Sequence, residues 1–84
     1  MNSYMYVGID MPGTGARIKA LRQKNHFTVE ALCEILCVSP QAIYKWQNGE
    51  SLPTLDNIMV LSDIFKVKVE DIVAREGAMS SFIF

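Results

Sequence analysis

Apolar residues recur along this chain at intervals of three and four, most clearly between Thr28 and Gly49. Val29, Leu32, Cys33 and Leu36 follow the i, i+3, i+4, i+7 spacing of one helical face, which predicts a helix from Val29 to Leu36. Thr28 is its expected N-cap, and Glu30 sits in the first turn, where the helix dipole favours negative charge. The period breaks at Cys37 and Val38. Ser39-Pro40 restarts it, with a hydroxyl cap followed by a proline at the first helical position, where no backbone N–H is missed. On this next helix Ala42, Ile43 and Trp46 form an apolar side that packs, with Val38, on the preceding helix. Gln41, Tyr44, Lys45 and Asn48 recur at helical spacing on the opposite side. Gly49 predicts a left-handed ending.

The flanking segments repeat the helical pattern. Gly13-Thr14-Gly15 opens a helix that runs to about Lys24, with Ile18 and Leu21 inward and Arg17, Lys19 and Lys24 outward. Asn25-His26-Phe27 links it to the next helix, with Phe27 stapling the start of that helix. After Glu50-Ser51-Leu52-Pro53, Thr54 caps a fourth helix to about Phe65, whose inward face is Leu55, Ile58, Leu61, Ser62 and Phe65. Met59, Val60 and Ile64 leave that helix apolar nearly all round, which predicts burial on more than one side. Val69 to Arg75 reads as a short fifth helix. The ends differ in pattern: S-Y-M-Y-V-G-I-D-M near the start and S-S-F-I-F at the finish are strand-like. Tyr4, Tyr6, Phe82, Ile83 and Phe84 are costly to leave in water at roughly 25 cal/mol per Å² of apolar surface, so pairing of the two tails, or pairing across a dimer, is an expectation beside disorder. The chain thus divides into a tail over residues 1–12, a helical domain over 13–76 and a tail over 77–84.

Length and composition fit this picture. Eighty-four residues, half of them apolar, allow one small domain with a compact core. No run of about 18 consecutive apolar residues and no leader-like start is present, which predicts a cytoplasmic chain without a membrane partner. Net charge is only −1, yet it is unevenly spread. Gly13 to Gly49 holds five cations (Arg17, Lys19, Arg22, Lys24 and Lys45) against Glu30 and Glu34. From Glu50 onward three cations (Lys66, Lys68 and Arg75) face six acids (Glu50, Asp56, Asp63, Glu70, Asp71 and Glu76). A positive half joined to a negative half suits a surface for a polyanion on one side and a different partner on the other.

Catalytic and metal chemistry find little support. His26 is the chain's single histidine, and no second ligand stands at metal spacing from it. Cys33 and Cys37, at i and i+4, lack two further ligands and have the wrong vectors for a disulfide within one helix. No paired carboxylates or nucleophile–base arrangement emerges, so an enzyme is not expected, nor a cofactor.

Two short helices joined by a tight turn, the second presenting amide, phenol and ammonium groups, form the arrangement that places a helix in the DNA major groove. The span Gly15 to Val73, with R-I-K-A-L-R-Q, V-S-P-Q-A-I-Y-K-W-Q-N-G-E-S-L-P-T-L-D-N-I and L-S-D-I-F-K-V-K-V-E-D-I-V, resembles the Cro and phage-repressor type helix-turn-helix family, also called the xenobiotic-response-element family. The resemblance implies an all-α, five-helix, lambda-repressor-like DNA-binding domain, here carrying short apolar tails able to form strands. It implies base reading by Gln41, Tyr44 and Lys45, and backbone contacts from Ser39, Asn48 and Gly49, with Thr28 and Arg17 further candidates for phosphate. Gln41 can pair with adenine, and Lys45 can donate to guanine O6 and N7.

The chain departs from the family pattern at several places. Pro40 stands where a polar base reader is frequent, and Val29 where a phosphate-anchoring glutamine is frequent. Gln47 matches a glutamate that pairs with an arginine at the position of Arg22. Cys33 fills an alanine position, and Cys37 a glycine position that would strain cysteine if its φ is positive. The implied function is sequence-specific double-stranded DNA binding by a homodimeric transcription regulator, a repressor by preference. The competing reading is a protein-interaction module or antitoxin-like partner that keeps the fold, has lost the DNA surface and binds a protein through its apolar tails.

Overall fold

The computed structural model describes residues 8–76, so the tails expected to form strands, residues 1–7 and 77–84, lie outside the described residues. Five helices follow one another: α1 (Met11–Lys24), α2 (Val29–Leu36), α3 (Pro40–Gln47), α4 (Leu55–Phe65) and α5 (Val69–Ile72). Among the described residues the fold is all-α, as expected.

Each helix start has a local chemical cause. Asp10 caps α1 by accepting the Gly13 N–H at 2.8 Å, and Pro12 fills an early position that needs no donor. The helix therefore begins two residues before the Gly13 start expected from sequence. Thr28 Oγ1 accepts from Ala31 at 3.0 Å, Ser39 Oγ from Ala42 at 3.3 Å, and Thr54 Oγ1 from Asn57 at 3.3 Å. At α5 the device is reversed, because Lys68 has no side-chain acceptor. Its backbone N–H donates instead to the Asp71 carboxylate at 3.0 Å. Each cap meets a donor that the helix itself leaves without a partner.

The core draws evenly on the five helices. Ile18 of α1, Leu32 of α2, Ile43 of α3, Leu61 of α4 and Ile72 of α5 are all fully buried, and Trp46, Phe65, Leu36 and Val29 surround them. The Phe27 and Phe65 rings meet at 5.9 Å between centroids, tilted by 58°, so Phe27 packs on α4. On α4 one residue differs from the expected inward face: Leu55 points outward. Leu55 is 68% exposed and Met59 55%, one turn apart on the same face, whereas Val60 and Ile64 pack partly against the core.

The fifth helix is also shorter than expected, a single turn that stops at Ile72. Val73 turns extended, and the next residues find partners in α1 and before it. Ala74 N–H donates to Thr14 Oγ1 at 2.9 Å, Asp10 N–H to Ala74 O at 2.8 Å, and Glu76 N–H to Gly8 O at 2.9 Å. Ile9 and Arg75 thereby face one another as an antiparallel bridge. Thr14 is a buried polar side chain, and this bond satisfies both its oxygen and the Ala74 amide.

Candidate nucleic-acid interface

The helix that would meet DNA is fixed from behind by close backbone contact. A β-carbon on Gly15 of α1 would stand 2.1 Å from the Trp46 carbonyl oxygen and 2.8 Å from that of Gln47, so only glycine lets α1 cross the end of α3 this closely. Gly49 follows with φ of 75°, and a β-carbon there would come within 2.8 Å of Pro12 Cα. A side chain completes the attachment: Arg22 Nε donates to Gln47 Oε1 at 2.9 Å while its Nη1 donates to Phe27 O at 3.0 Å. The pairing inferred from the family pattern thus forms, with a neutral acceptor in place of a carboxylate.

The turn before α3 is tight because Cys37 adopts the left-handed conformation, φ 56° and ψ 48°. The Val38 amide then reaches back to Cys33 O at 3.2 Å. A non-glycine residue in this region costs about 1–2 kcal/mol, so Cys37 carries the strain expected at a glycine position. Cys33 is half-buried against the core, as a small apolar residue would be, and Cys37 is exposed.

On α3 itself the two faces separate as the spacing predicts. Ile43 and Trp46 are buried, while Gln41, Tyr44, Lys45 and Asn48 are exposed on one strip, Tyr44 to 49%. Gln47 is turned away from that strip by its bond to Arg22. The hydroxyls of Thr28 and Ser39 use only an acceptor lone pair in capping, which leaves each O–H hydrogen able to donate outward. Both lie at helix N-termini, where the partial positive charge favours an anion such as phosphate.

Three expected backbone contacts prove to have partners within the chain. Gly49 N–H donates to Trp46 O at 3.0 Å. The Asn48 amide lies 3.5 Å from a Glu50 carboxylate oxygen, an acid at the edge of the strip. Arg17 Nη1 donates to Glu70 O at 3.1 Å and Val73 O at 3.5 Å, covering the open carbonyls where α5 ends. The signal for that role was missed because it depends on where α5 stops. Val29 is buried in the core, so the position where the family frequently carries a phosphate-anchoring glutamine presents no polar group here.

With this geometry established, comparison with known proteins decides the family. The helix-turn-helix family HTH_3 matches residues 18–72. The chain belongs to this family. It is a non-enzymatic family of transcription regulators of the Cro and C1 type. The helix-turn-helix domain is similar to the HTH-type transcriptional activator BcrR of Enterococcus faecalis, at 32% identity over 60 residues, which is 71% of this chain and 29% of BcrR. The chain thus spans under a third of that relative's length. Its fold matches the restriction-modification controller protein C.AhdI of Aeromonas hydrophila with TM-score 0.66 at 19% identity, covering 75% of this chain and 96% of C.AhdI. It also matches the DNA-binding domain of BldD, with TM-score 0.62 at 18% identity over 86% of this chain and 99% of that domain. At those identities the two structures speak for the fold.

Proposed function

We propose that this helix-turn-helix domain binds double-stranded DNA sequence-specifically as a homodimer and represses transcription in the cytoplasm by occupying its operator. The observation that carries the reading is the exposed strip Gln41, Tyr44 and Lys45 on a helix held rigidly by Gly15, Gly49 and Arg22. Those three side chains read base edges. Ser39 and Thr28 donate to phosphates on either side, and Asn48 adds a contact weakened by Glu50. Gly49 shapes the turn, and Arg17 serves α5 before it serves DNA. Repression needs only occupancy, whereas activation needs a further surface for the transcription machinery. BcrR, named an activator, keeps that alternative in view.

Dimerisation is supported by the neighbouring exposed residues Leu55 and Met59, which give α4 an apolar face that a second copy would cover. The same face supports the competing reading, a protein-interaction module. The experiment is selection of randomised duplexes by the purified chain at low salt, with the enriched sequences re-bound at rising salt. An enriched pseudo-palindrome with half-sites about one helical turn apart is the expected result. Recovery of nothing beyond salt-labile background would turn the reading toward the protein partner.

A further inference from the structure

The exposed strip of α3 is short enough to limit what it can read. Ser39 and Pro40 begin the helix, but Ser39 Oγ is already an acceptor for Ala42 N–H and Pro40 has no hydrogen-bonding side chain. Gln47 is held by Arg22, and Asn48 lies beside Glu50. Two side chains that can form paired hydrogen bonds with a base edge are left: Gln41 and Lys45, with Tyr44 between them.

Gln41 and Lys45 stand four residues apart, about 6 Å along the helix axis at 1.5 Å per residue. The duplex advances about 3.4 Å per base pair, so with the third helix laid along the major groove two residues so placed reach base pairs about two steps apart. Their chemistry is not interchangeable. The Gln41 amide both donates and accepts, which matches adenine N7 and N6–H. The Lys45 ammonium only donates, which matches guanine N7 and O6 and leaves the adenine amino group without an acceptor. Tyr44 offers a ring and one hydroxyl, a contact that several bases can accept.

We infer that the half-site holds an A·T pair and a G·C pair with one loosely read base pair between them, the first recognised by Gln41 and the second by Lys45. This rests on the DNA-reading assignment above. The test is duplex selection repeated with the wild-type chain, Gln41→Ala, Lys45→Ala and Lys45→Gln, followed by binding to single-base variants of the enriched site. The wild type is expected to discriminate about 5- to 150-fold at each of the two positions. Gln41→Ala should erase the preference at the A·T pair alone, and Lys45→Ala that at the G·C pair alone. Lys45→Gln should move its position from G·C toward A·T, a gain that a misfolded chain cannot produce. An enriched site whose preferences lie elsewhere, or do not follow these variants, would overturn the inference and leave DNA reading intact. Failure of the wild type to enrich any sequence would overturn the underlying assignment as well.

Discussion

Arg22 and Gln47 join the first and third helices through a bond of 2.9 Å between the guanidinium Nε and the amide oxygen. The acceptor is neutral, so the bond has only half of the charge assistance that a carboxylate would give. Gln47→Glu should therefore stabilise the domain, by about 1 kcal/mol given the partial burial of the pair. Urea denaturation with an unchanged m-value would register the gain, and an unaltered midpoint would mean that the guanidinium already has all it needs from Phe27 O.

A second gain is expected at the turn. Cys37 holds φ of 56° without being glycine. Cys37→Gly relieves about 1–2 kcal/mol of native-state cost, less about 0.4–1 kcal/mol for the greater freedom of glycine in the unfolded chain. In a domain this small each kcal/mol corresponds to about 4–8 °C in Tm. Thermal melting under reducing conditions measures it, and a lower Tm would show that the cysteine side chain contributes packing that outweighs its backbone.

Glu50 should restrain DNA affinity, because its carboxylate sits 3.5 Å from the Asn48 amide at the margin of the proposed phosphate track. Glu50→Gln removes the repulsion and leaves the base readers untouched. Binding to all sequences should tighten together, several-fold at low salt, while the ranking among sequences stays the same. A change in ranking would place Glu50 within reach of a base.

The exposed pair on α4 gives a prediction about assembly. Replacing both Leu55 and Met59 by glutamate should leave the stability of the monomer, measured below the concentration at which the chain pairs, within about 0.5 kcal/mol, since neither side chain belongs to the core. Sedimentation should nevertheless shift from dimer to monomer, and affinity for a two-half-site operator should fall much further than affinity for a single half-site. A dimer that survives the double substitution would move the seam away from α4.

Thr14→Val keeps the side-chain volume but removes the acceptor of the Ala74 amide, in a site that is buried. The loss should be about 1–3 kcal/mol. Hydrogen exchange at the Ala74 amide is the direct readout, and protection equal to the wild type would show that water or a backbone carbonyl takes over.

The middle of the chain was legible from sequence because its structure is local. Thr28, Ser39-Pro40 and Thr54 announce helix starts through bonds that span three residues, and the faces of α2 and α3 follow directly from apolar spacing. The polar strip of the interface was legible for the same reason. What escaped depends on contacts between distant segments. Asp10 looked like part of a tail because its value as a cap appears only once its own backbone N–H is tied to Ala74. Leu55 fits the apolar period of α4 yet lies on its outer side, because periodicity cannot say how wide the covered stripe will be. Arg17 and the early stop of α5 explain one another, and neither can be read before the other is placed. The Arg22–Gln47 contact was legible across 25 residues only through family resemblance.

Contacts as distant in sequence as the bridge between Ile9 and Arg75 are expected to form late in folding. Closing this bridge brings together residues at nearly opposite ends of the described chain, so the loop entropy it must overcome exceeds that of the turn at Cys37 by about 2 kcal/mol. The α2–α3 unit can therefore assemble first on local contacts, with the seam between the two ends zipping last. Substitutions at that seam, Thr14→Val among them, would then accelerate unfolding while leaving the refolding rate close to that of the wild type.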